Sequence, residues 1–102
     1  MPFGKKRFSS RLSNPNYLNF RKRVLNRDSF CCQYPGCGSS DSLEVHHIKR
    51  YSLCRGLRTE SANGITLCSG CHKKVTGKEE QYEQMFSSIV RGNQRKAGYK
   101  LT

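Results

Sequence analysis

Leu43-Glu44-Val45-His46-His47-Ile48, then Asn63-Gly64-Ile65-Thr66-Leu67, then Cys68-Ser69-Gly70-Cys71-His72: these three runs hold all three histidines of the chain and two of its six cysteines. The first alternates as a strand, with Leu43, Val45 and His47 on one face and Glu44, His46 and Ile48 on the other. Ile65 to Leu67 reads as a second short strand behind the turn signal Asn63-Gly64. Ser69 is placed to cap a short helix running through His72 to Val75. The result is a small α+β unit. Imidazole and thiolate are the ligands that zinc and similar ions take from proteins, so its chemistry points to metal.

Upstream stands a second cysteine pair, Cys32-Gln-Tyr-Pro-Gly-Cys37, separated from Cys68-Ser-Gly-Cys71 by 30 residues. Two such knuckles, Cys32 and Cys37 with Cys68 and Cys71, make a closed, four-thiolate structural zinc site. Two disulfides are the alternative, disfavoured because Met1-Pro2-Phe3-Gly4-Lys5-Lys6-Arg7 does not open a secretion signal. A redox pair lacks the strand and helix context of such a motif. Cys31 can replace Cys32 by a small shift, and Cys54 reads as an ordinary loop thiol.

The totals explain why a metal frame is needed. Leu, Ile, Val and Phe number only 20 of 102 residues, and 19 Lys and Arg oppose seven Asp and Glu for a net charge of +12. That composition borders on disorder. Metal binding free energy becomes folding free energy in such a chain. The excess of positive charge makes a polyanion the natural partner. No run approaches the roughly 20 apolar residues of a membrane span, and none pairs the charge with a broad apolar face that would suit a membrane surface.

Residues 1–13 read as a flexible basic arm, 14–91 as the folded domain and 92–102 as a basic tail. Asn14-Pro15 is a helix start, with Asn as N-cap and Pro in the first position. Tyr17, Leu18, Arg21, Val24 and Leu25 follow at helical spacing toward an end near Arg27-Asp28, with Lys22, Arg23 and Arg27 on the remaining faces. Residues 49–62 form a polar loop. Thr76-Gly77-Lys78-Glu79 has capping-box spacing and opens a last helix to about Arg91, whose buried stripe is Tyr82, Met85, Phe86 and Ile89. Adjacent histidines on a strand point to opposite faces, so His46 and His47 have different tasks. His72, beside Cys71 at a helix start, is placed by the cysteine frame where backbone N–H groups can meet a phosphate.

Taken together with Arg27-Asp-Ser-Phe30 and Cys32, these runs strongly resemble the HNH endonucleases, and most of all their small stand-alone phage and bacterial members. The resemblance spans about residues 20 to 75. It implies a ββα-metal (His-Me finger) motif with a structural zinc knuckle and flanking helices. It further implies that His46 and His72 bind a catalytic divalent ion, that His47 is the general base, and that Asn63 ties down the loop between the strands. The sequence departs from the family in the wider spacing of its first cysteine pair, in the missing proline after the histidine pair, in a single loop glycine, Gly56, and in Thr76, where the nuclease colicins place another histidine.

The expected activity is metal-dependent hydrolysis of DNA phosphodiester bonds, with nicking by a monomer or weak dimer and 5′-phosphate and 3′-hydroxyl products. Mg²⁺ or Mn²⁺ is the expected working ion, and imidazole ligands also suit Ni²⁺ or Zn²⁺. Lys49, Arg50, Arg55 and Arg58 are candidate phosphate contacts. Two other readings stay open: a zinc-stabilised nucleic-acid-binding module without cleavage, and a secreted, disulfide-linked basic protein acting on membranes. The expected setting is cytoplasmic, in the host if the chain is phage-encoded. Phage DNA-packaging proteins are partners that the resemblance alone suggests.

Overall fold

The computed structural model describes residues 14–50 and 55–98. The expected N-terminal arm, Cys54 and the last four residues lie outside them. In order come α1 (Pro15–Arg27), β1 (Leu43–His47), two single 3-10 turns (Arg55–Leu57 and Ser61–Asn63), β2 (Gly64–Cys68), α2 (Ser69–Val75) and α3 (Glu79–Lys96). The strands pair antiparallel, with His46 opposite Ile65 and His47 opposite Gly64. Two strands followed by a short helix form the centre. α1 packs on β2, and α3 contacts β2 and the Ser61–Asn63 turn.

Helix α1 starts as expected: the Asn14 side chain accepts from the Asn16 and Tyr17 amides, and Pro15 stands first. Its buried stripe differs from the expected one. Phe20, Val24 and Arg27 face inward, while Leu18 stays 42% exposed. The spacing 20, 24, 27 is itself helical, and tertiary contact selected it over the neighbouring apolar row.

Arg27, expected on an open face, is 5% exposed and lies against Asp28, itself 2% exposed. Arg27 Nε donates to Asp28 Oδ1 at 2.8 Å and Nη2 to Oδ2 at 2.9 Å. The carboxylate also accepts from the Thr66 amide and from Asn93 Nδ2, each at 2.9 Å. One ion pair thus joins the end of α1 to β2 and α3. The loop after it covers the free edge of β2, since the Gln33 amide donates to Thr66 O at 2.9 Å. Covering an edge in this way removes its capacity for strand addition.

Two expected caps are not used. Cys68 takes the N-cap position of α2 in place of Ser69, and Lys78 that of α3 in place of Thr76, neither with a side-chain bond. Thr76 instead ends α2, its hydroxyl donating to His72 O at 2.7 Å. Gly77 at φ +84° then makes the turn into α3. That helix runs on to Lys96 and buries Phe86, Val90 and Gln94, leaving Met85 exposed.

The core consists of Ile48, Ile65, Leu67, Val75, Phe86 and Val90 together with Cys32 and Cys71. Two thiols of the cysteine frame are therefore part of the hydrophobic core. Gly64 has a packing role beyond any turn. A Cβ there would stand 2.7 Å from Phe20 Cζ and 2.8 Å from Val24 Cγ2, so α1 approaches β2 only where the side chain is missing. Gly64→Ala is expected to destabilise the protein by about 1–3 kcal/mol, the cost of overpacking a close contact. A urea melt checks this; an unchanged midpoint would show that α1 can move off β2 freely.

Candidate functional site

The strand pleat sends His46 and His47 to opposite faces. His47 stands opposite Gly64 in the strand pair, and its ring stacks on Phe20 (centroids 5.0 Å apart) and more loosely on Tyr17 (6.3 Å). Its Nε2 lies 3.0 Å from the carbonyl oxygen of Arg58. A carbonyl only accepts, so Nε2 carries the proton of the neutral ring and Nδ1 is its basic nitrogen.

Asn63 closes the loop beneath. Its Oδ1 accepts from the Lys49 amide at 2.8 Å, and its Nδ2 donates to Lys49 O at 3.2 Å and Leu57 O at 3.4 Å. Its own carbonyl accepts from the Ile48 amide at 2.8 Å. The residues immediately after His47 are thereby tied to the start of β2.

His46 faces the other way, toward α2 and α3. It is 3% exposed, with its ring 5.3 Å from that of His72 and 5.7 Å from Phe86. Burial, followed by the neighbouring His72, pulls its pKa down to about 4. His46 Nε2 is buried and has no hydrogen-bond partner. Glu44, two residues earlier on the same face, pairs with His72 Nδ1. A carboxylate on one ring nitrogen is the usual way of orienting a histidine whose other nitrogen holds a metal. An unpartnered buried imidazole nitrogen beside a carboxylate-oriented histidine is a donor set that fits a divalent cation.

Glu79, at the start of α3, also borders this face and interacts with His46. Burial works against its charge. Backbone N–H bonds from Glu79 itself and Gly77, with Arg50 alongside, nevertheless hold its carboxyl below the usual range. Reading the sequence missed Glu44 and Glu79, although Glu44 lies at i−2 of His46 on an assigned strand face.

The four expected thiols meet: the Sγ atoms of Cys32, Cys37, Cys68 and Cys71 all lie within 4.8 Å of one another. Cys37 and Cys68 are 3.9 Å apart, close to the roughly 3.8 Å edge of a tetrahedron with zinc–sulfur bonds of about 2.3 Å. The electrostatics ask for a cation. The Cys71 amide lowers the Cys68 thiol to about 7, whereas burial and then the other thiols push Cys71 up to about 12. Burial raises Cys32 as well. Four thiolates cannot share this space unless positive charge sits among them. Cys31 is not part of the cluster; its thiol donates to Ser29 O.

Of the proposed phosphate contacts, two are engaged within the chain. Lys49 Nζ pairs with Glu83 at 2.6 Å and Arg50 Nε with Glu79 at 3.2 Å, all at the surface or partly so. Arg58 is half-buried and offers its carbonyl to His47. The Arg55 side chain lies outside the described residues.

The depressed pKa of His46 has a signed consequence. An unfolded histidine near 6.5 binds a proton that the folded one refuses until about 4, so His46 lowers stability as pH falls from about 6.5 to 4 and has no further effect below that. Titration of the His46 ring signal by NMR, in protein free of added divalent ion, should show a midpoint near 4. A midpoint between 6 and 7 would mean that the ring is hydrated.

No curated protein and no solved structure matches the chain. No helix among the described residues is long and apolar enough to cross a membrane. Residues 31–78, just under half of the chain, match the family described as HNH endonuclease. That segment holds both knuckles, both strands, all three histidines and Asn63. With a two-strand and helix centre, and four thiols gathered where a structural ion would sit, the segment 31–78 is similar to the HNH endonuclease domain, which suggests a nuclease or DNA-binding function.

Proposed function

We propose that the protein is a metal-dependent endonuclease that hydrolyses DNA phosphodiester bonds, with His47 as general base. The single observation that carries this reading is the hydrogen bond from His47 Nε2 to the Arg58 carbonyl. It selects the tautomer in which Nδ1 can take a proton from water. Imidazole, with an ordinary pKa of about 6.5, is suited to that transfer at neutral pH, a role worth about 10²–10⁴ in rate.

The aromatic stack of Phe20 and Tyr17 restricts the plane of the ring, and Asn63 holds the backbone that carries it. Both reduce the motions that would take the base out of line with an attacking water. His46 and His72 would hold the divalent ion, with Glu44 orienting His72. When bound there, such an ion supplies positive charge against the charge building on the phosphorane and the leaving oxygen. Mg²⁺ or Mn²⁺ is the proposed ion. Cys32, Cys37, Cys68 and Cys71 would hold a structural zinc. A net charge of +12 provides the non-specific attraction for the DNA backbone. A single site acts on one strand at a time, so nicks with 5′-phosphate and 3′-hydroxyl ends are the proposed products.

Supercoiled plasmid should be converted to nicked circles only when divalent ion is restored after chelation. His47→Ala, folded and zinc-loaded, should be at least about 10²-fold slower. Salt-sensitive retardation of plasmid by both proteins, without scission under any of Mg²⁺, Mn²⁺, Ni²⁺ or Zn²⁺, would instead identify a binding module. One zinc per chain is expected on metal analysis, and its removal by a strong chelator should abolish the cooperative thermal transition. Retention of a sharp transition without zinc would show that the apolar core suffices.

A further inference from the structure

We propose that Arg27 is a positioning residue for Asn63, and through it for His47. The proposal rests on the nuclease reading above. Arg27 lies four residues before the segment that matches the family and contributes nothing to the thiol cluster or the histidine faces. Its guanidinium nevertheless reaches across to the loop that Asn63 closes. Nη1 donates to Ser61 O at 2.8 Å, and Nη2 donates to Gly64 O at 2.7 Å. These two carbonyls stand on either side of Asn63. The planar fork thus clamps the peptide from which the Asn63 side chain projects.

The fork is itself oriented. Asp28 receives Nε and Nη2, and is held in turn by the Thr66 amide and by Asn93. Both side chains of the pair have no exposed surface. A buried ion pair gives little net stability, because desolvation of both charges offsets their attraction. What this pair does supply is direction, with two N–H groups at fixed angles onto two chosen carbonyls while two more bind the carboxylate. Lysine carries the charge but not the fork, so it can satisfy the carboxylate or one carbonyl and not the whole set. From Asn63 the constraint passes to the Lys49 backbone and to Leu57 O, next to the Arg58 carbonyl that selects the His47 tautomer.

The test uses the full-length, zinc-loaded chain. Arg27→Lys is compared with wild type, alone and combined with Asn63→Ala, by plasmid-nicking rate at saturating enzyme, by DNA affinity, and by hydrogen exchange at the Lys49 and Ile48 amides. In the wild-type background, Arg27→Lys should slow nicking by about 10- to 100-fold, with DNA affinity retained. In the Asn63→Ala background the same change should cost less than about twofold, because two residues in one chain of contacts are not additive. Exchange at Lys49 and Ile48 should quicken while that of Phe86 and Val90 does not.

An undiminished loss in the Asn63→Ala background, or wild-type nicking by Arg27→Lys, would overturn the proposal. Should Arg27→Lys fail to fold, Asn93→Ala removes one hydrogen bond from Asp28 and is read by the same comparisons, with a smaller loss expected. If wild type itself cuts nothing, the nuclease reading has failed. The exchange rates then still decide whether Arg27 holds Asn63 in place.

Discussion

The architecture turns on the buried contact between Arg27 and Asp28. Adjacent in sequence at the end of α1, they present five donors and one carboxylate to a region where backbone groups of β2 and of the turn before it point away from β1. Gly64 needs a donor for its carbonyl and Thr66, on the edge of β2 away from β1, needs an acceptor, while Ser61 O, which already accepts from the Gly64 amide, gains a second donor. Each demand is met from this pair, and Asn93 anchors α3 to the same carboxylate. Buried backbone groups are costly when unpaired, so removing either partner would strand several at once. A small protein with few apolar residues thereby obtains a defined joint without a larger core.

Around that joint the two adjacent histidines are given separate surroundings. His47 lies against the Phe20 ring, which α1 brings close to β2 at Gly64, its proton assigned by a carbonyl. His46 is pressed among Phe86, His72 and the core, where it is held neutral with one nitrogen lacking a partner. The pleat of one strand accomplishes this division. It also places Glu44 beside His46 on the face that meets α2, which is how a carboxylate comes to orient His72.

The cysteine frame and the apolar core are one body, because Cys32 and Cys71 are counted among the buried residues that Phe86, Leu67 and Val75 enclose. Whatever neutralises the thiolates therefore stabilises the core directly. Elsewhere the high positive charge is partly restrained. Lys49 and Arg50 flank the histidine strand and are paired with Glu83 and Glu79 of α3. The Lys49 pair is exposed and of a kind that contributes little, whereas Arg50 meets a Glu79 that is largely covered.

Much of this could be read from residue order. Knuckle spacing announced the thiol cluster, alternation announced β1 and the opposed faces of His46 and His47, and Asn14-Pro15 announced the start of α1. These features depend on local geometry or on ligand chemistry, which a short run of sequence contains in full. Other features were decided by tertiary contact alone: Phe20 and not Leu18 as the packing residue, Gly64 as a site of close approach, Arg27 as an interior group, and Cys68 and Lys78 at the helix starts. In each of these the local pattern allowed more than one outcome. Which row of a helix is buried, or which charge finds a carboxylate and two carbonyls, depends on segments up to 65 residues away that compete for the same space and the same hydrogen bonds.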